Sequence, residues 1–73
     1  MWFVYVLKSI NAPFIYIGFT NDLKRRLLEH NDRLVQSTKH YAPFEIEVYV
    51  AVKTEKKARE LESISKQVQE KPF

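Results

Sequence analysis

Two short runs of apolar and aromatic residues near the start of the chain constrain its fold most. They cover residues 2 to 7 and residues 14 to 19, and both are rich in residues that favour β-strands. Because neither run alternates with polar residues, both are expected to be buried strands. The segment between them contains Asn11 and Pro13, which favour a turn. The two strands are therefore predicted to pair as an antiparallel hairpin.

A helix is predicted directly after the second strand. Thr20 or Asn21 can cap its first turn, and the helix is expected to begin at about Asp22 and to continue to His30. The next stretch, residues 31 to 43, is mostly polar and ends at a proline, which disfavours helix in the residue before it. This indicates a long loop with room for one helical turn.

A third strand and a second helix complete the pattern. Every second residue from Phe44 to Val52 is apolar, which predicts a strand with one buried face made of Phe44, Ile46, Val48, Val50 and Val52. Thr54 can cap a second helix, with Glu55 in its first turn, and Pro72 cannot continue that helix. Its apolar stripe is predicted to be Ala58, Leu61, Ile64 and Val68. The expected fold is α+β, a small three-stranded antiparallel sheet flanked by helices in the order β-β-α-β-α, in one domain covering 1–73.

Composition excludes several classes of protein. The chain has 73 residues, enough for one small core. It has no cysteine, which excludes disulfide frameworks and thiolate sites and fits a reducing compartment such as the cytoplasm. No apolar run approaches the roughly 18 to 20 residues that span a bilayer, and no basic leader is present, so neither membrane insertion nor export is expected. The net charge of +3 weakly favours a polyanionic partner.

Tyr5 and Tyr16 lie on the two predicted hairpin strands. Their relation depends on the register, and a register centred between Ile10 and Asn11 would set them directly opposite each other. Such a pair belongs either to the core, where aromatic strand residues commonly lie, or to a functional site. Gly18 is the only glycine, and within a strand it indicates a close approach by a ligand or by the first helix, or else a kink.

The first helix has two residues at the edge of its apolar stripe. At about 100° per residue, Arg26 and His30 lie one turn apart and border the core, where they can reach into a cleft, whereas Arg25 points to solvent. An arginine there suits a phosphate, or it simply covers the core edge with its aliphatic stem, beside an ordinary half-buried histidine. The stripe itself is expected to be Leu23, Leu27 and, if the helix reaches that far, Leu34.

The second helix offers two carboxylates. Glu60 and Glu62 flank its stripe on opposite sides, and either could be a single carboxylate ligand to Mg²⁺. The periodicity of the helix does not distinguish between them. His30 and His40 lack the spacing of a helical zinc site. The chain has no P-loop or dinucleotide motif, so no nucleotide cofactor is expected, and it has no serine triad.

These features occur in a characteristic order. The second strand reads Tyr16-Ile17-Gly18, and the first reads Phe3-Val4-Tyr5-Val6-Leu7. Arg26 follows eight residues after Gly18, and His30 follows four residues later. Two later segments complete the pattern: Ser37 to Phe44, which leads into the third strand, and Thr54 to Glu62, at the start of the second helix. This arrangement resembles the GIY-YIG nuclease superfamily, most closely its short stand-alone bacterial members.

The resemblance implies metal-dependent hydrolysis of DNA phosphodiester bonds. Glu62 would bind one Mg²⁺ or Mn²⁺ ion, and Arg26 would offset charge on the phosphoryl oxygens. Tyr5 would act as, or position, the general base for the attacking water, while Tyr16 and His30 would orient water and phosphate. The residues predicted to contact the DNA substrate are Gly18, Lys24, Lys39 and Tyr41.

The sequence also departs from the family pattern. Phe3 stands where the first signature motif has glycine, and Arg33 stands where the short proteins tend to have glycine after the helix, at a left-handed turn. Residues 63 to 73 do not resemble the usual basic, glycine-containing ending, and no asparagine there completes the site. A nucleic-acid-binding module with little or no catalysis is therefore the alternative hypothesis. A protein-interaction domain with a fossil site is a third.

Overall fold

A computed structural model describes residues 1–70 of the chain, with side chains as far as Gln67. Five main elements follow one another, and a short 3₁₀ turn at Lys39–Tyr41 interrupts the loop before the third strand. The elements are β1 (Trp2–Ser9), β2 (Ile15–Thr20), α1 (Leu23–Asn31), β3 (Phe44–Val52) and α2 (Glu55–Glu70). The predicted fold class and element order are confirmed.

The sheet has the order β2-β1-β3, with both pairings antiparallel. In the hairpin, Tyr5 pairs with Gly18 and Leu7 pairs with Tyr16. The two tyrosines are therefore diagonal neighbours on one face, with ring centroids 6.3 Å apart. The directly opposite register is wrong because the hairpin is centred one residue later, between Asn11 and Ala12, as the pairing of Lys8 with Ile15 shows.

A helix packs on each face of the sheet. On the α1 side the fully buried cluster is completed by half-buried leucines of the helix, and on the α2 side a smaller cluster forms around Ala58. The buried residues of the α1 side are Tyr5, Leu7, Ala42 and Phe44, and those of the α2 side are Val4, Ile17 and Ala58. The predicted catalytic tyrosine thus lies inside the α1-side core.

Strand β3 does not keep one face buried. Ile46 and Val48 oppose consecutive residues of β1, so Glu47 forms a bulge that moves the following side chains to the other face. Val48 and Val50 are 51% and 47% exposed, because β3 is an edge strand that the helices cover only in part. Val52 packs in the α2-side cluster, so the predicted single buried face is wrong.

Helix α1 begins one residue later than predicted. The side chain of Asp22 is the cap, and its Oδ1 accepts a hydrogen bond from the backbone N–H of Arg25 at 3.1 Å. Thr20 instead accepts from the backbone N–H of Asp22 at 3.1 Å, which shapes the approach to the helix. The prediction of Thr20 or Asn21 as the cap is therefore wrong.

Helix α1 ends in a left-handed turn at Arg33, whose φ is 60°. The N–H of Arg33 donates to the carbonyl of His30 at 3.2 Å, and the N–H of Leu34 donates to that of Glu29 at 3.0 Å. These two bonds form a Schellman motif, in which glycine is the usual left-handed residue. The expected left-handed turn is confirmed, whereas Leu34 lies beyond the helix, 72% exposed, and is not part of the stripe.

Helix α2 begins as predicted, with the hydroxyl of Thr54 accepting from the N–H of Lys57 at 3.2 Å. Ala58 is fully buried and Leu61 is half-buried, but Ile64 is 58% exposed beside an open groove at the β3 edge. The buried stripe of α2 is therefore shorter than predicted. The side chain of Val68, and Pro72, lie outside the described residues. None of the helices within residues 1–70 combines the length and apolarity needed to cross a membrane.

Candidate active site

Tyr5 lies on the central strand and occupies the space above Gly18. It is 1% exposed, and a Cβ placed on Gly18 would lie 2.6 Å from the Tyr5 phenol oxygen and 2.8 Å from Cζ. Such contacts are too short for any other residue to be tolerated without movement of the ring. The sequence indicated a ligand, helix α1 or a kink at this glycine, and the group found there is the Tyr5 side chain.

His30 is buried between Tyr5 and the loop after α1. Its Nε2 lies 3.2 Å from the Tyr5 hydroxyl and its Nδ1 lies 2.8 Å from the Thr38 hydroxyl. His30 and Thr38 both have 0% exposure. The expectation that His30 borders the core and reaches into a cleft is wrong, because the imidazole is fully buried, with Tyr5 at one ring nitrogen and Thr38 at the other.

Arg26 lies one turn before His30 and keeps contact with solvent. Its side chain is 34% exposed, and its Nη1 donates to Oε1 of Glu29 at 2.9 Å. The guanidinium also lies close enough to the Tyr5 phenol to influence its pKa. Arg25 is 64% exposed at its side chain and points to solvent, as predicted. Arg26 is therefore the cation that α1 places at the opening of the site.

Helix α2 brings Glu62 toward the same tyrosines from the β2 edge. The Glu62 side chain is 18% exposed, and Lys66 Nζ lies 3.5 Å from its Oε2 and 6.0 Å from the centre of the Tyr16 ring. Glu60 is exposed and lines the groove beside β3. The structure thus separates the two candidate glutamates, since only Glu62 faces the tyrosines.

The surroundings shift three pKa values. Burial raises the pKa of Tyr5, the hydrogen bond from Arg26 opposes this, and the charge of Glu62 adds to the increase. Burial, followed by the positive charge of Arg26, lowers the pKa of His30 to about 4. Burial acts to lower the pKa of Arg26, but hydrogen bonds with Glu29 and Tyr5 outweigh it, so the net direction is upward. At neutral pH the phenol and the imidazole are both uncharged, beside a permanent cation.

Tyr5, Tyr16, Arg26 and His30 together form what we call the Tyr5 cluster. The four come from β1, β2 and α1, and the His30 ring centroid lies 6.0 Å from that of Tyr5 and 5.0 Å from that of Tyr16. Glu62 approaches this cluster from α2. The structure therefore brings together all five residues that the sequence predicted as catalytic.

The four residues predicted to contact substrate lie in different parts of the structure. Gly18 lies under the Tyr5 ring. Lys24 lines an apolar groove of about 520 Å³ between α1 and the β3 edge. Tyr41 is 39% exposed and stacks on Phe14, with ring centroids 4.0 Å apart. Lys39 is half-buried in the 3₁₀ turn. Within residues 1–70, no hydrogen bond joins Lys24, Lys39 or Tyr41 to the Tyr5 cluster.

Sequence reasoning missed Thr38 and Lys66. Thr38 is a polar residue in a polar loop, and only the three-dimensional path of that loop reveals its contact with His30. Lys66 follows Glu62 by one helical turn, a spacing that favours an ion pair and could have indicated it.

Comparison with known proteins identifies a family for the chain. The model of the GIY-YIG catalytic domain matches residues 1–72. The chain belongs to the GIY-YIG catalytic domain family, and its fold is of the nuclease type. Neither the curated proteins nor the solved structures compared with it gave a match.

The donor groups near Glu62 suit a cation that needs few protein ligands. Within the described residues, no group of three histidine, cysteine, aspartate or glutamate side chains comes together. Both nitrogens of His30 already have partners. A metal ion at Glu62 would therefore have one carboxylate ligand and would complete its shell with water and phosphate oxygens, as Mg²⁺ commonly does.

Proposed function

We propose that this protein is a Mg²⁺-dependent endonuclease that hydrolyses phosphodiester bonds in DNA. The observation that carries the proposal is the convergence of the Tyr5 cluster and Glu62 from four separate elements at one edge of the sheet. Two charged side chains from different helices, Arg26 and Glu62, thus lie near the same two tyrosines.

Arg26 is suited to bind the scissile phosphate. Glu29 holds one end of its guanidinium at 2.9 Å, and the side chain keeps 34% of its surface accessible. A planar guanidinium offers several donors in a fixed geometry and stabilises the charge that builds on phosphoryl oxygens. Arg26 therefore both attracts the phosphate and stabilises the transition state.

Tyr5 is suited to orient the attacking water and to take a proton from it or pass one on. Its raised pKa keeps the phenol protonated in the resting protein. Loss of that proton requires added positive charge near the oxygen, which Arg26 supplies in part. Bound at Glu62, Mg²⁺ would supply Lewis-acid polarisation of the phosphate and of bound water.

A cleavage assay tests the proposal. Supercoiled plasmid is incubated with the protein in Mg²⁺ or in excess chelator, and nicked DNA is measured. Mg²⁺-dependent nicking is expected, and Arg26→Ala is expected to reduce its rate by about 100-fold or more, the scale of losing one preorganised group that stabilises developing charge.

Arg25→Ala is the matched control, because Arg25 is the neighbouring arginine on α1 and points to solvent. It is expected to keep a rate within a few-fold of the wild type, as screened surface charges contribute little. Equal nicking by wild type and Arg26→Ala, or equal loss in both variants, would contradict the proposed role of the site.

One observation favours a second candidate, a DNA-binding module with little catalysis. Lys66 lies 3.5 Å from Oε2 of Glu62, so the single carboxylate of the site already has a cationic partner. In that case the protein would bind DNA with an affinity that falls as the salt concentration rises, because binding to phosphates releases counterions. It would leave plasmid intact in Mg²⁺. Nicking above the chelator control excludes this candidate.

A further inference from the structure

The outer edge of β3 exposes apolar side chains on both faces of the sheet. Val48, Tyr49 and Val50 are consecutive, and they are 51%, 55% and 47% exposed. Tyr49 pairs with Tyr5 and lies on the α1 face, whereas the two valines lie on the α2 face. Single exposed apolar residues are common, but an apolar strip along an unpaired strand edge is typical of an interaction site.

One end of this edge is already closed. The side-chain amide of Asn31 accepts a hydrogen bond from the N–H of Phe44 at 2.6 Å and donates to its carbonyl at 3.2 Å. Within residues 1–70, no loop or side chain forms a hydrogen bond with the backbone from Glu45 to Val52. The backbone groups on the outer side of this stretch can therefore pair with another strand.

Residues 47–53 are complementary to themselves when two copies run antiparallel. With Val50 at the centre, residues at equal distances on either side of it lie opposite each other. The opposed pairs are Val50 with Val50, Val48 with Val52, and Tyr49 with Ala51. Valines thus meet valines on the α2 face, and a large side chain meets a small one on the α1 face.

The charges at the two ends of this segment complete the match. Glu47 and Lys53 are both exposed, and the antiparallel arrangement places Glu47 of each copy beside Lys53 of the other. Two pairs of opposite charge therefore form, one on each side of the twofold axis. A register centred on Tyr49 would instead bring the bulge at Glu47 inside the paired segment and interrupt the ladder.

We propose that this protein forms a homodimer in which residues 47–53 of β3 pair antiparallel with the same residues of a second copy, centred on Val50. The two sheets then become one sheet of six strands, in the order β2-β1-β3-β3-β1-β2. The groove between β3 and α2, lined by Val52, Leu61 and Ile64, borders the valine pairs and adds apolar surface to the interface.

The dimer leaves both copies of the Tyr5 cluster uncovered. Each cluster lies toward β2, which forms the outer edge of the six-stranded sheet on either side. The inference therefore does not rest on the proposed nuclease function, and it is tested without any cleavage.

Charge reversal at the two ends of the segment tests the pairing. Glu47→Lys opposes two lysines, and Lys53→Glu opposes two glutamates, so each variant alone has two like-charged pairs. Mixed in equal amounts, the variants regain two pairs of opposite charge. Sedimentation equilibrium at low salt should show a concentration-dependent dimer for the wild type. The dissociation constant should rise by about tenfold or more in each variant and return toward the wild-type value in the mixture.

Cross-linking tests the register. The chain has no cysteine, so Val50→Cys introduces a single thiol. Across the axis its Cβ would lie about 4.5 to 5.5 Å from its counterpart, close to the span of a disulfide. Mild oxidation should therefore give a covalent dimer. Leu28→Cys is the matched control, because Leu28 is 55% exposed but lies on α1, and it should not cross-link.

A wild-type protein that stays monomeric at about 1 mM, where even weak association is detected, would overturn the inference and leave the edge to a different partner. A dimer that is unaffected by both charge variants, or that the mixture does not restore, would place the interface elsewhere. Equal cross-linking of Val50→Cys and Leu28→Cys would overturn the register. If Val50→Cys does not fold by circular dichroism, the charge variants decide, since both substitutions are at exposed positions.

Discussion

At the scale of single residues, Tyr5 links the core to the candidate site. Its ring fills the space above Gly18, its hydroxyl contacts His30, and the charge of Arg26 influences its pKa. The same side chain therefore contributes to packing and to the proposed chemistry. This double role explains why aromatic strand residues, read alone, did not distinguish a core pair from a site pair.

Gly18→Ala is predicted to disturb both roles. The new Cβ would lie 2.6 Å from the Tyr5 hydroxyl oxygen, so the buried ring must shift. We expect a loss of about 1 to 3 kcal/mol in the free energy of unfolding, the usual cost of overpacking, measured by urea denaturation, together with reduced nicking.

Tyr5→Phe tests this explanation, because it removes the Tyr5 hydroxyl oxygen, the atom closest to the new Cβ. In a double-mutant cycle, Gly18→Ala should cost less stability in the Tyr5→Phe background than in the wild type. An equal cost in both backgrounds would show that the Tyr5 hydroxyl does not limit the space at Gly18.

The buried imidazole of His30 predicts a pH dependence of stability. Its pKa is lowered to about 4, whereas an unfolded histidine titrates near 6.5. Above about pH 6.5 both states are neutral. Below that pH the unfolded chain binds a proton that the folded protein does not bind until about pH 4. Stability is therefore lost as the pH falls through this window, by about 2 kcal/mol between pH 7 and pH 5.

Urea denaturation of the wild type and His30→Gln at several pH values measures this contribution. The wild type should lose more stability than His30→Gln between pH 7 and pH 5. His40→Gln is the matched control, because that histidine is exposed, and it should follow the wild type. Parallel pH profiles for the wild type and His30→Gln would contradict the assignment.

At the scale of elements, the helix termini and the β3 bulge are the places where the structure departs from the regular pattern of the sequence. Continuous apolar runs located β1 and β2, and periodicity located the other three elements, because apolar residues recur every two residues in a half-buried strand and every three or four in a helix. It missed the bulge at Glu47, since an inserted residue leaves the alternation of the sequence intact while it changes the pairing with β1. Edge strands tolerate such irregularities because one side is unpaired.

The end of α1 predicts a stabilising substitution. Arg33 adopts a φ of 60° in the Schellman motif, a conformation that glycine adopts without steric cost. Arg33→Gly should raise the free energy of unfolding by about 0.5 to 1 kcal/mol, which is less than the full left-handed penalty because glycine also loses more backbone entropy. Arg33→Ala retains a Cβ and should give no such gain in the same urea experiment. Equal effects of the two variants would contradict this explanation.

At the scale of the whole molecule, the site forms where both faces of the sheet meet at the β2 edge. Helix α1 supplies Arg26 and His30 from one face, and α2 packs mainly on β2 and β1 from the other and extends Glu62 to the same edge. The sequence order and spacing predicted which residues would converge. They did not predict that His30 is enclosed, or that Thr38 and Lys66 contact the site, because those contacts depend on the path of an irregular loop and on how far α2 reaches around the edge.

Two glutamates on one helix provide the sharpest test of the proposed nuclease site. Glu62→Gln and Glu60→Gln remove the same charge from α2, but only Glu62 faces the tyrosines. In Mg²⁺ the nicking of supercoiled plasmid should fall by about 100-fold or more in Glu62→Gln, the scale of removing one group that stabilises the transition state. Glu60→Gln should match the wild type. Nicking that survives Glu62→Gln, or that falls equally in both variants, would contradict a catalytic role for Glu62.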